Sequence, residues 1–234
     1  MSDIPVDATR PRIALVHALE QSVVPARAAF AEHWPGARTF DLLDTSLSAD
    51  LAFNGGRLDG AMMRRFEVLG DYVAGNGGEG GPTAGILFTC SAFGPAIDAV
   101  KTRLSLPVLR PNEAAFEEAL VLGSRIGLVV TYLPSQRALQ EELEAMAAAS
   151  GKTITVRSGL AEGALEALQA GNGSRHDTII AGAAAALGEV DAVILGPFSA
   201  ARAAPATRSL CDCPVISTPQ SAVERLRRLI EGRA

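Results

Sequence analysis

Residues 84–97 read AGILFTCSAFGPAI, a short apolar run that passes through two hydroxyl residues and a thiol into a stretch that contains proline. The apolar run 84–90 predicts a buried strand, and Pro95 marks the start of a predicted helix over 95–104. The same alternation of short apolar runs with Ala- and Leu-rich amphipathic stretches continues from one end of the chain to the other. It is typical of helices packed around a mostly parallel sheet, so the predicted fold class is α/β.

The alternation predicts eight strands and eight helices. The predicted strands are 12–18, 37–43, 84–90, 107–109, 125–131, 153–157, 192–196 and 214–217. The predicted helices lie near 23–34, 57–73, 95–104, 112–122, 134–150, 160–171, 177–187 and 219–231. The segments 42–54 and 75–82 are expected to be loops.

The predicted strands fall into two similar halves. Residues 13–16 correspond to 126–129 at an offset of 113, whereas 86–90 correspond to 193–197 at an offset of 107. We therefore expect an N-terminal lobe at 1–110 and a C-terminal lobe at 111–234. The helices or strands that complete each lobe could cross from one to the other. We also expect a cleft formed by the carboxyl ends of their strands, where α/β sheets usually bind ligands.

The composition of the 234 residues limits the partners. The chain has 26 acidic and 21 basic residues and a net charge of −5, without a basic cluster, which argues against a nucleic acid partner. No apolar run approaches the roughly 18 residues that span a bilayer. Residues 1–11 are polar and acidic, unlike a signal sequence. We therefore expect a cytoplasmic protein with no membrane partner.

The cysteines and glycines do not predict a metal or nucleotide site. Cys90, Cys211 and Cys213 are too few for a disulfide framework, and no set of four zinc ligands has the required spacing. Residues 75–80 contain the spacing G-x-G-x-x-G. A dinucleotide-binding loop follows a strand and opens a helix, whereas this one follows a helix and leads into a strand, so we interpret it as a flexible loop.

The strongest local signal for chemistry is Cys90, which lies between Thr89 and Ser91 where a buried strand turns into a helix. Backbone N–H groups and the helix dipole at such a turn lower the pKa of a thiol and bind carboxylates. Cys90 is therefore a candidate base or nucleophile, and both hydroxyls are candidate anion ligands. A buried structural cysteine at the end of a core strand is an equally good interpretation.

Other strand ends supply weaker candidates. Thr131 and Tyr132 follow the strand 125–131 and could bind a second carboxylate oxygen, although Thr131 or Ser135 could instead cap the next helix. His17 ends the first strand and suits proton transfer, but a lone histidine is more often structural. His33 and His176 are expected at the surface.

The strand followed by Thr89-Cys90-Ser91-x-Phe93-Gly94, the strand end 129–131, and the closing runs 192–196 and 213–216 resemble the aspartate/glutamate/hydantoin racemase superfamily, to which arylmalonate decarboxylase and maleate isomerase are related. The resemblance extends over nearly the whole chain. It implies a cofactor-independent enzyme in which two cysteines face each other, one removing the proton α to a carboxylate and the other reprotonating the opposite face. It also implies that Thr89, Ser91 and Thr131 bind the substrate carboxylate.

The chain departs from the family pattern at Pro197. The family strand usually runs into Leu-Gly-Cys, whereas this chain has Leu195-Gly196-Pro197, and the 107-residue offset from Cys90 leads to the same proline. Cys211 and Cys213 precede the last strand, at its amino end, and cannot simply replace the missing thiol. Pro197 and Phe198 remain candidates for contact with the substrate.

These observations predict a racemase- or isomerase-like enzyme in which Cys90 transfers the proton at the carbon α to the carboxylate of a small amino acid, hydantoin or related acid. Two alternatives stay open: a single-cysteine decarboxylase of the arylmalonate type, and a catalytically inactive protein that binds small carboxylates. The expected partner is a small carboxylate, without cofactor or metal, and a homo-oligomer stays open.

Overall fold

Two four-stranded parallel sheets form the framework of this computed structural model, which describes residues 10–78 and 81–232. The first sheet has the order β2-β1-β3-β4 and the second has the order β6-β5-β7-β8. All eight predicted strands and the α/β class are confirmed. The strands are β1 Arg12–His17, β2 Arg38–Leu43, β3 Thr83–Phe88, β4 Val108–Leu109, β5 Arg125–Val130, β6 Thr155–Leu160, β7 Ala192–Leu195 and β8 Val215–Ser217.

The described residues form ten α-helices, of which eight correspond to the predicted ones and two, α2 and α9, were not predicted. Short 3₁₀ turns cover Glu20–Ser22, Ser91–Phe93 and Phe198–Ala203. The helices are α1 Val23–His33, α2 Ser46–Phe53, α3 Gly60–Ala74, α4 Gly94–Arg103, α5 Glu113–Leu122, α6 Leu133–Ala149, α7 Ala164–Gln169, α8 Gly173–Ala185, α9 Ala204–Arg208 and α10 Thr218–Glu231.

Helix α2 shows that the expected loop 42–54 is wrong. Leu47 and Leu51, four residues apart, bury one side of a short helix against the apolar cluster of the first sheet. The Asp44 carboxylate accepts hydrogen bonds from the backbone N–H and hydroxyl of Ser46 at the first turn. The other expected loop is confirmed at 75–78 and 81–82, while Glu79 and Gly80 lie outside the described residues.

The chain divides into two compact units, each built around one sheet. The first contains the described residues up to Arg110 and those from Val223 onward, and the second contains Pro111–Ala222. The last part of α10 therefore belongs to the first unit, where it covers β3. A Cβ atom on Gly85 would approach Ile230 Cδ1 of that helix to 2.8 Å, so the close packing of helix on strand requires glycine at this position.

No helix within residues 10–78 and 81–232 is long and apolar enough to cross a membrane. Within the same residues, no group of three or more His, Cys, Asp or Glu side chains is arranged to hold a metal ion.

The contact between α3 and α4 gives a first test of the packing. A Cβ atom on Gly70 of α3 would lie 2.5 Å from Val100 Cγ1 of α4, so we expect Gly70→Ala to lower the free energy of unfolding by about 1–2 kcal/mol, because overpacking outweighs the gain in helix propensity. The measurement is urea denaturation. Gly182→Ala in α8 is the matched control, since nothing lies within 4 Å of its new methyl group, and it should stabilise by about 0.5–1 kcal/mol. Equal effects of the two substitutions would contradict the close α3–α4 contact.

Candidate active site

The carboxyl ends of β1 and β3 lie side by side in the first unit. The two strands are parallel, with Val16 opposite Phe88, so His17 and Thr89 emerge next to each other. The Thr89 backbone N–H donates to the Val16 carbonyl oxygen at 3.0 Å. The Thr89 Oγ1 atom lies 2.8 Å from His17 Nδ1. The end of β3 is therefore tied to β1 by a backbone and a side-chain hydrogen bond.

On its other side, His17 contacts β2. Its Nε2 atom lies 2.9 Å from Asp41 Oδ1, and Arg27 Nε donates to Asp41 Oδ2 at 2.7 Å. A carboxylate can only accept, so Nε2 carries the ring proton and Nδ1 accepts the hydroxyl proton of Thr89. Burial lowers the pKa of His17 and outweighs the opposing effect of Asp41, so the ring is neutral at pH 7.

Cys90 lies where the sequence places it, after the end of β3 and directly before the 3₁₀ turn Ser91–Phe93 that leads into α4. The backbone of Cys90 is still extended, with φ −117° and ψ 119°. Successive side chains of an extended segment point to opposite sides, and here the Thr89 hydroxyl contacts His17 while Cys90 packs, half-buried, against an apolar cluster that includes Val16 and Phe93. The thiol and the Thr89 hydroxyl are therefore on opposite sides of the chain.

The environment of Cys90 corrects one expectation from the sequence. Burial raises the pKa of the Cys90 thiol, and the backbone N–H of Ala92 opposes this effect only in part. The expectation that the turn lowers this pKa is wrong, because the sulfur lies against apolar side chains. The thiol is consequently protonated at neutral pH in the protein without substrate.

The two hydroxyls beside Cys90 have different surroundings. Thr89 is buried, and its hydroxyl proton is directed to His17. Ser91 is half-exposed in the 3₁₀ turn. Of the two, Ser91 is therefore the hydroxyl that can donate to an arriving carboxylate without losing a bond to His17.

In the second unit, Thr131 and Tyr132 follow β5, as predicted. Thr131 is half-buried, and the Tyr132 side chain is 55% exposed. Tyr132 occupies the residue before α6, and its carbonyl accepts from the Ser135 hydroxyl at 2.7 Å. The Ser135 hydroxyl is the donor in this bond, so it does not cap the N–H groups of the first turn, and neither Thr131 nor Ser135 acts as the side-chain cap of α6.

The end of β7 carries Pro197, as the sequence offset predicts. Gly196 N–H donates to the Val129 carbonyl oxygen at 2.9 Å, which extends the β5–β7 pairing up to the proline. Pro197 is half-buried, whereas Phe198 is buried at the start of the 3₁₀ turn Phe198–Ala203. The expected contacts of Pro197 and Phe198 with a substrate stay predictions.

The remaining cysteines lie away from these strand ends. Cys211 and Cys213 precede β8 at its amino end, and both thiols are free and half-buried. Burial raises the pKa of both, and the negative charge of Asp212 adds to the effect. They have the same chemistry as Cys90 at a different end of a strand, which makes them natural controls.

Sequence reasoning placed His176 wrongly and did not identify Asp41. His176 is fully buried, because α8 begins at Gly173 and puts it in one stripe with the buried Ile180 and Ala184. In the sequence, Asp41 was visible only as a charged residue between the apolar Phe40 and Leu42. Its partner His17 is on the neighbouring strand, a relation that the local pattern does not contain.

Comparison with known proteins shows which family the sequence matches. The sequence profile of the Asp/Glu/Hydantoin racemase family matches residues 71–226. A search of curated protein sequences gives no match.

Solved racemases have a similar fold at low sequence identity. A glutamate racemase from Francisella tularensis, in complex with D-glutamate, is 14% identical with a TM-score of 0.67, covering 96% of this chain and 82% of that one. An allantoin racemase from Pseudomonas fluorescens is 19% identical with a TM-score of 0.64, covering 94% and 91%. An aspartate racemase homologue from Pyrococcus horikoshii is 15% identical with a TM-score of 0.65, covering 94% and 99%.

At such identities the structural likeness shows the fold, and the profile, which covers more than half of the sequence, carries the assignment. The chain therefore belongs to the Asp/Glu/hydantoin racemase family.

Proposed function

We propose that this protein is a cofactor-independent racemase- or isomerase-like enzyme that acts at the carbon α to the carboxylate of a small amino acid, hydantoin or related acid. Cys90 is the thiol that transfers the proton. The observation that carries the proposal is the position of Cys90, a half-buried thiol between the end of β3 and the turn into α4, in a chain that belongs to a racemase family.

The burial of Cys90 suits a group that exchanges protons with a carbon acid. An α-hydrogen beside a carboxylate is far less acidic than a thiol, so a weakly basic thiolate would remove it slowly. Burial destabilises the Cys90 thiolate, which makes the thiolate a stronger base once it forms, and makes the neutral thiol a ready donor to a carbanion. The cost is that only a small fraction of the protein holds the thiolate at neutral pH.

A carboxylate and the charge that develops on it need donors close to Cys90. The Ser91 hydroxyl and the backbone N–H groups of the 3₁₀ turn Ser91–Phe93 are the nearest in sequence. The Thr89 hydroxyl proton goes to His17, so in this arrangement that hydroxyl does not donate to the carboxylate. Thr131 and Tyr132 are further proposed ligands of the substrate carboxylate.

Pro197 favours a second candidate reaction. Proline has no side-chain proton and no N–H group, so it can neither protonate a carbanion nor stabilise an oxyanion. A decarboxylase needs only one proton donor after carbon dioxide leaves, and single-cysteine decarboxylation of a malonate is therefore the alternative to racemisation.

The proposal predicts α-proton exchange that depends on Cys90. Amino acids, hydantoins including allantoin, and malonates are incubated with the protein in deuterium oxide, and deuterium at the α-carbon and released carbon dioxide are measured. Cys90→Ala should remove the activity, whereas Cys211→Ala and Cys213→Ala should leave it intact, because those thiols lie at the amino end of β8. Absence of any exchange or carbon dioxide release by the unmodified protein would favour the inactive carboxylate-binding alternative.

The pH dependence follows from the raised pKa of Cys90. Proton abstraction needs the thiolate, so the exchange rate should rise with pH and reach no plateau below about pH 9. The rate of alkylation of Cys90 by iodoacetamide should rise in parallel and fall when a bound carboxylate protects the thiol. A plateau of both rates near pH 7 would show a low-pKa thiol and contradict the assigned effect of burial.

Substitution at the end of β7 tests the role of Pro197. Pro197→Cys places a thiol where the family pattern has one, so enantiomer interconversion should increase relative to deuterium incorporation. Adding Cys90→Ala to the same chain should abolish the gain. Pro197→Ala is the matched control for the loss of the ring, and an equal gain in that variant would show that backbone freedom, not a second thiol, is responsible.

A further inference from the structure

A buried His–Asp pair lies beside the proposed active site and has no role in the chemistry described above. His17 is fully buried, and the Asp41 side chain is only 11% exposed. Burying a titratable pair is costly unless its hydrogen bonds are satisfied, and here both ring nitrogens of His17 have a partner. The hydrogen bonds of this pair therefore connect β1, β2 and the end of β3.

The Thr89 hydroxyl has one proton and two acceptors within reach. His17 Nδ1 lies at 2.8 Å, and the Val16 carbonyl oxygen lies at 3.4 Å. Asp41 decides between them, because its carboxylate requires the proton of His17 to be on Nε2 and so leaves Nδ1 as an acceptor. The hydroxyl then donates to the nearer acceptor.

We propose that His17 and Asp41 are positioning residues for the reaction of Cys90. Asp41 holds the Nε2–H tautomer of His17, His17 accepts the hydroxyl proton of Thr89, and the restrained Thr89 holds the turn on which Cys90 lies. This inference rests on the proposed function, in which the position of the thiol matters to the rate.

The chain of hydrogen bonds has a second state, in which the bond between His17 and Thr89 runs in the opposite direction. A proton on His17 Nδ1 points at the Thr89 oxygen, so the hydroxyl must turn to the more distant Val16 carbonyl oxygen. Protonation of the ring produces this state, and so does the other neutral tautomer. In both cases Nδ1–H donates to the Thr89 oxygen, and the hydroxyl proton is left with only the longer contact to the Val16 carbonyl oxygen, which changes the position in which Thr89 and the following Cys90 are held.

Two charged groups, Asp41 and Arg27, affect how readily His17 takes up a second proton. The group after β3 that contacts the ring, Thr89, is uncharged. Burial lowers the pKa of His17, the Asp41 carboxylate on β2 raises it, and the Arg27 guanidinium on α1 lowers it. Removing Arg27 should therefore move the titration of His17 to higher pH. Removing the charge of Asp41 should move it to lower pH.

Asp41→Asn tests the tautomer directly. Arg27 can only donate, so it retains the side-chain oxygen of the new amide, and the amide N–H₂ group faces His17 Nε2. The amide donates to Nε2, and the ring proton moves to Nδ1. Arg27→Met keeps the carboxylate and therefore the original tautomer.

The measurement is nitrogen-15 NMR of the histidine rings, with His17 assigned by the loss of its signals in His17→Gln. We expect a protonated Nε2 and a bare Nδ1 in the unmodified protein, the inverse in Asp41→Asn, and no inversion in Arg27→Met, whose titration midpoint should rise. Asp71→Asn, which breaks another Asp–Arg pair of the same unit, is the control and should leave His17 unchanged. An Nδ1–H tautomer in the unmodified protein would overturn the inference.

The functional readout uses the same variants. Asp41→Asn should lower kcat for α-proton exchange by about 10- to 100-fold, as small misplacements of a reacting group do, with a much smaller change in KM. Arg27→Met should lose far less, and Asp71→Asn should lose nothing. An unchanged kcat in an Asp41→Asn protein with inverted His17 would overturn the positioning role.

The inference and the proposed function can fail separately. If the unmodified protein exchanges no substrate, the NMR result and the iodoacetamide reactivity of Cys90 still test the hydrogen-bond chain. Asp41→Asn should then change the alkylation rate of the half-buried thiol by a few-fold, because Thr89 and the adjoining turn are held in a different position, and Asp71→Asn should not. Equal alkylation rates in all variants would contradict the proposed restraint of Cys90.

Discussion

The parallel pairing of β1 with β3 is the constraint on which the candidate site depends. Val16 lies opposite Phe88, and the backbone bond from Thr89 N–H to the Val16 carbonyl carries the pairing one residue beyond the strand. That bond sets which side of the chain each following side chain takes. The hydroxyl of Thr89 turns to His17, and the thiol of Cys90 turns to the apolar cluster on the other side.

The placement of the Thr89 hydroxyl and the Cys90 thiol on opposite sides of the chain explains the chemistry that the site can support. A thiol placed beside His17 would donate its proton to the Nδ1 atom of the neutral ring. On the apolar side it stays protonated, and its rare thiolate is a strong base. On the polar side, the hydrogen bonds of His17 restrain Thr89. On the apolar side, burial raises the pKa of Cys90, so both sides of this short segment contribute to the proposed reaction.

Local pattern was enough to predict much of the fold, because the eight strands are apolar runs bounded by clear turns and parallel strands bring their carboxyl ends together. The same reasoning placed Thr89 and Cys90 directly after β3, and the repeat offset placed Pro197 at the end of β7, as the structure has them. It failed at α2, where Leu47 and Leu51 make the helix by burial against a distant sheet. It also failed at Asp41, whose meaning depends on its neighbour His17 across the β1–β2 pairing.

The pKa of Cys90 shows a different reason for a wrong expectation. The turn after β3 has the N–H group and the following helix that usually stabilise a thiolate, and a sequence pattern contains both. The pattern does not contain the depth of burial, which is set by side chains from several helices packed on the same face of the sheet. The larger effect here is the one that only the three-dimensional packing determines.

In the proposed reaction one thiol, that of Cys90, exchanges protons with the reacting carbon from one side. The most direct measurement follows a single pure enantiomer in deuterium oxide and compares the initial rate of α-deuterium incorporation with the initial rate of conversion to the other enantiomer. If Cys90 is the only proton carrier, deuterium enters with retention of configuration faster than the enantiomers interconvert. Interconversion as fast as deuterium incorporation, from both enantiomers, would show a second proton carrier and contradict the assignment of Cys90 as the single one.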